Sequence, residues 1–119
     1  EVQILSLIDA VEVDPQDVDL ITEVAYRLIS YLSAYKENIP STKRGVYIAS
    51  VRAHMERVRK RLSATGLSRL AWLCLIEGDR ASAWQFASDG LDRERSNRHC
   101  QRILDRLRLE GYRPPRRHD

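Results

Sequence analysis

The stretch from residue 67 to residue 77 is apolar on nearly every side, because Leu67, Leu70, Ala71, Trp72, Leu73, Cys74, Leu75 and Ile76 leave no polar stripe. A helix without a polar face has to be covered from several directions. Gly78-Asp79 breaks the pattern, and a second amphipathic segment follows over 80–92 with Ala81, Ala83, Trp84, Phe86, Ala87, Gly90 and Leu91. Ala83, Ala87 and Gly90 step by four and then three, which places them on one helical stripe of small residues. Two helices are expected to cross there.

The rest of the chain carries the same period. Val2, Ile4, Leu5, Leu7, Ile8 and Val11 suit a short first helix, although the alternation at the very start also fits a strand. Asp14 reads as a cap, Pro15 as a first-turn residue and Asp17 as a charge suited to the positive end of the helix dipole. Val18, Ile21, Val24, Ala25, Leu28, Ile29, Leu32 and Tyr35 then continue one face, with Lys36 in the last turn and an end near Asn38, before Pro40. Ser41 or Thr42 starts a further helix running to about Ala64, with the seam Ile48, Val51, Met55, Val58 and Leu62 and with Gly66 as its stop. Lys43, Arg44, Arg52, Arg57, Arg59, Lys60 and Arg61 make its other face the most basic in the chain. A last helix is expected over 97–110, capped by Ser96 and stopped at Gly111, while Asp79 caps the 80–92 helix. No alternating β pattern survives beyond residue 5. The fold class is therefore all-α, a helical bundle or short α-solenoid of about five to six helices. The expected organisation is one helical domain over 1–111 and a flexible basic tail over 112–119. Within the domain, a long helical pair (14–65) precedes a repeat-like half (64–110).

Residues 64–97 resemble the 34-residue tetratricopeptide repeat. Leu70, Ala71, Gly78, Asp79, Ala83, Phe86, Leu91 and Asn97 match its pattern, whereas Leu67, Cys74, Ala87, Gly90 and Arg95 depart from it. Residues 98–111 would be the first helix of a following unit, acting as the polar cap that such arrays need. The resemblance implies a concave groove lined by Thr65, Ser68, Trp72, Leu75 and Ile76. Trp72, Leu75 and Ile76 are then the expected apolar docking face for a protein or peptide, and Arg69 and Arg98 read as rim charges suited to an acidic partner. In the competing reading, Trp72 and Ile76 pack in the core against the preceding helix.

Charge bears on the partner. The chain of 119 residues carries a net +3, but residues 1–40 hold eight acids against two bases and the remainder eighteen bases against nine acids. Seventeen of the twenty bases are Arg, whose planar fork suits carboxylate and phosphate alike. Arg98, Arg102 and Arg106 step by four along the last helix and form a ridge that phosphates could follow, so nucleic-acid binding ranks second to protein contact. Self-association, as a homodimer, is the third option.

Catalysis has little support. His54, His99 and His118 are scattered, Asp89 with Asp92 and Glu77 with Asp79 read as helix-surface or cap acids, and no cofactor or metal motif is present. Cys74 and Cys100 fall on apolar faces and read as buried free thiols. The chain has no membrane-spanning run and no visible secretory signal, which makes a cytoplasmic scaffold fragment of a larger protein the expectation.

Overall fold

A computed structural model describes residues 2–35 and 41–114. The described residues form six α-helices: α1 (Val2–Val13), α2 (Val18–Tyr35), α3 (Ser41–Arg57), α4 (Ala64–Ile76), α5 (Arg80–Arg93) and α6 (Arg98–Leu109). The chain divides into two compact units, Glu1–Leu62 and Ser63–Asp119.

In the first unit, α2 packs against α1 and α3 through Ile8, Val11, Ile21, Val24, Leu28 and Val51, all buried. The first segment is helix, not strand. The start of α2 is set by Asp17, whose Oδ1 accepts from the Leu20 N–H at 3.0 Å. Asp14 and Pro15, expected to open the helix, lie instead in a turn closed by the Asp17 N–H on the Asp14 carbonyl. The helix end expected near Asn38 lies outside the described residues.

The seam of α3 is buried as read, but the helix stops at Arg57, short of the expected Ala64. Arg59–Arg61 form a 3₁₀ turn and Leu62 is extended. This departure frees Ser63 to cap α4, its Oγ accepting from the Gly66 N–H at 3.1 Å. Gly66 therefore sits buried in the first turn of α4 and does not stop the helix before it. The basic side chains 59–61 accordingly leave the face of α3.

In the second unit, α5 packs against both α4 and α6, and α4 against α6. Ala83, Ala87 and Gly90 are all buried. A Cβ at Gly90 would fall on the Cys100 Sγ and lie 3.3 Å from the Ala64 carbonyl oxygen. The absent side chain thus admits α6 and the start of α4 together, where the sequence suggested one crossing of two helices.

The two outer helices of this unit end alike. Ser63 caps α4 and Asn97 caps α6, the latter accepting from the Cys100 N–H at 3.0 Å. Ser96, the expected cap, is exposed in the preceding turn. Both helices close on a left-handed glycine, Gly78 (φ 81°) and Gly111 (φ 82°). In each case the following N–H reaches back to the carbonyl five residues earlier, Asp79 to Cys74 and Tyr112 to Leu107, both at 2.9 Å. This is the six-to-one bond of a Schellman stop, which a residue with a Cβ makes only with strain.

Candidate interaction surface

Tertiary contacts bring α4 and α6 alongside each other. The Asn97 Nδ2 donates to the Thr65 Oγ1 at 3.3 Å, and the Cys100 Sγ donates to the Ala64 carbonyl at 3.3 Å. Further along, the Arg106 guanidinium lies 5.2 Å from the centre of the Trp72 ring, near enough for a cation–π contact. Arg106 follows Trp72 by 34 residues.

The expected groove residues divide. Ser68 is buried and donates to the Thr65 carbonyl at 2.6 Å, so it belongs to the interior. Thr65 is half-buried and holds Asn97. Arg69, Trp72 and Leu75 are half-buried, whereas Ile76 is 40% exposed. Trp72 is thus neither a core residue nor an open anchor, because one ring face carries a guanidinium.

On α6, Arg98, Arg102 and Arg106 are all exposed along one ridge. Arg106 also reaches the Glu110 carboxylate at 3.5 Å. Among the described residues, Arg98 and Arg102 make no ion pair or hydrogen bond through their side chains. Two features of this surface were not read from the sequence. Leu109 ends the ridge 89% exposed. Arg108 lies 5.2 Å from the Trp84 ring, which also meets the Tyr112 ring at 5.8 Å. Tyr112, expected as the start of a loose tail, is therefore an anchored residue; residues 115–119 lie outside the described residues. The 34-residue offset from Trp72 to Arg106 is the one sequence signal that could have paired them.

Burial pushes the Cys100 thiol up from its ordinary 9.0 to about 11, with the Glu94 carboxylate adding to the effect. Cys74 and Cys100 are both free and buried. Asp89 is engaged by Gln85, whose Nε2 donates to it at 2.9 Å. In the first unit, His54 lines a narrow apolar crevice with Ile8, Val11, Ile21, Val24 and Val51, and its Nδ1 has no hydrogen-bond partner among the described residues. Among the described residues, no three His, Cys, Asp or Glu side chains are grouped to hold a metal ion, and no helix is long and apolar enough to cross a membrane. No protein-family model, curated protein or solved structure matches this chain.

Proposed function

We propose that the second unit is a tetratricopeptide-like contact module whose α4–α6 face docks a protein or peptide partner bearing acidic and apolar side chains. The observation that carries this reading is the Arg106–Trp72 contact between α6 and α4, on a surface where Ile76 at the end of α4 and Arg98 and Arg102 along α6 are exposed. The matched termini of α4 and α6, with caps 34 residues apart and left-handed glycines 33 apart, support a repeat as the underlying architecture. Partly buried aromatic and aliphatic anchors with an arginine rim are the residue types that dominate protein contacts.

The test is selection of displayed random peptides on the intact chain. Wild-type protein enriches sequences that combine Asp or Glu with a large apolar residue. Ile76→Asp and Trp72→Ala lose that enrichment while keeping the far-ultraviolet helix signal. Absence of enrichment, or equal enrichment on Ile76→Asp, refutes the reading.

Nucleic-acid binding along Arg98, Arg102 and Arg106 is the second reading, favoured by the exposure of all three side chains along one ridge of α6. Trp72 offers it little stacking surface, because Arg106 occupies one face of the ring. It requires retention on mixed-sequence nucleic acid that falls steeply with salt and disappears when the three arginines become Gln.

A further inference from the structure

Two arginines of α6 lie over tryptophan rings, but their remaining edges differ. Arg108, 5.2 Å from the Trp84 ring, also donates from Nη1 to the Asp105 Oδ1 at 3.5 Å. Arg106, 5.2 Å from the Trp72 ring, donates from Nε to the Glu110 Oε1 at 3.5 Å. The carboxylate of Glu110 therefore sits on the stem side of the Arg106 guanidinium, and the indole covers one of its faces. Among the described residues, neither Nη of Arg106 has a hydrogen-bond partner, and the side chain is exposed.

That open edge has a chemical counterpart. The paired Nη groups of a guanidinium form a planar fork that matches the two oxygens of a carboxylate. An exposed arginine usually gives up rotamer freedom when it makes this contact, which reduces the net gain. Trp72 and Glu110 already restrict Arg106, whereas among the described residues Arg98 and Arg102 have no such supports. Ile76 stands one turn after Trp72, about 6 Å along α4, and is exposed. On α6 the surface continues past Arg106 in both directions, through exposed Arg102 one turn before it and exposed Leu109 three residues after it. A partner chain can thus run on either side of the group that Arg106 holds. This suits a side-chain carboxylate within a segment better than a chain terminus.

We propose that Arg106 reads an Asp or Glu side chain of the partner through its Nη edge, with Trp72 and Glu110 as positioning residues. The proposal deepens the reading of the α4–α6 face as a protein-contact surface and rests on it. Charge alone is then insufficient. Lysine brings a compact ammonium with no planar fork and no face to lie on an indole, so it cannot take the place of Arg106. Arg108 is excluded from the same task, because its terminal edge is engaged by Asp105.

The same peptide selection, repeated on variants of the full chain, tests this. Arg106→Lys should lose the preference for Asp or Glu while keeping its helix signal, and Arg108→Lys should keep the preference. Trp72→Phe preserves a flat ring under the guanidinium and should keep it too; Trp72→Leu should not. A peptide enriched on wild type is then synthesised with its acidic residue and with the corresponding amide. Exchanging acid for amide should weaken binding at least about tenfold on wild type and less than about twofold on Arg106→Lys. Amidation of the peptide's C-terminus should leave binding unchanged. Persistence of the acid preference on Arg106→Lys overturns the inference and leaves the contact module standing, since the acid is then read elsewhere on the face. Loss of the preference on Arg108→Lys, or its retention on Trp72→Leu, overturns it in the same way. So does loss of binding on amidation, which would assign the edge to a chain terminus. Failure of wild type to enrich any sequence removes both readings.

Discussion

Gly90→Ala would normally favour a helix by about 1 kcal/mol, because alanine loses less backbone entropy than glycine on folding. Here the sign should reverse. The new Cβ occupies the place of the Cys100 Sγ, with the Ala64 carbonyl oxygen 3.3 Å away on the other side. Cys100 is fully buried, so its Sγ can move only by turning into packed neighbours. Overpacking of this kind costs about 1–3 kcal/mol. Turning the thiol also breaks its hydrogen bond to the Ala64 carbonyl, at a further cost of up to about 1 kcal/mol. Set against the propensity gain, the net destabilisation is about 2 kcal/mol. Both tryptophans, Trp72 and Trp84, lie in the second unit, so indole fluorescence follows that unit during urea unfolding. With a slope of about 1 kcal/mol per molar for so small a unit, the midpoint should fall by about 2 M. Combining Gly90→Ala with Cys100→Ala removes the colliding atom, and the double variant should be more stable than the summed single effects by about 1–2 kcal/mol. An unchanged or raised midpoint for Gly90→Ala alone would refute the close approach of α5, α6 and the start of α4.

Three further outcomes are expected. Asn97→Ala removes the cap of α6 and the bond to Thr65 together, so the same fluorescence transition should lose about 1–2 kcal/mol, whereas Ser96→Ala should leave it within error. Tyr112→Ala uncovers one side of Trp84, and native emission should shift to the red with a loss of about 0.5–1.5 kcal/mol; unchanged emission would show that Tyr112 does not anchor the end of α6. Burial holds the folded Cys100 thiol neutral up to about pH 11, whereas the unfolded chain releases that proton near 9.0. Its contribution to stability is therefore complete below pH 9 and is lost as the pH rises towards 11, and Cys100→Ala should flatten that part of a stability–pH curve measured alongside wild type.

Much of the fold follows from short-range pattern. Apolar spacing along the chain suffices to identify six helical segments, because a buried stripe recurs every three or four residues whatever it packs against. The stops at Gly78 and Gly111 are equally local, since a left-handed residue is needed there and glycine adopts that conformation without a steric penalty. The burial of Ala83, Ala87 and Gly90 follows from their position on one stripe.

Other features depend on what the helices meet. No glycine or proline lies between Arg57 and Ser63, yet α3 ends there and Ser63 begins a new helix. Sequence reading alone sets caps at Asp14 and Ser96, whereas the caps are Asp17 and Asn97, the side chains whose oxygens reach a free N–H of the first turn in the packed structure. Ser68 turns inward and Trp72 gains a guanidinium cover by the same logic. Helix period and turn conformation are written within a few neighbouring residues. The pairing of Trp72 with Arg106, of Asn97 with Thr65, and of Gly90 with Cys100 becomes defined only once three helices share one core, because each pair draws its side chains from different helices.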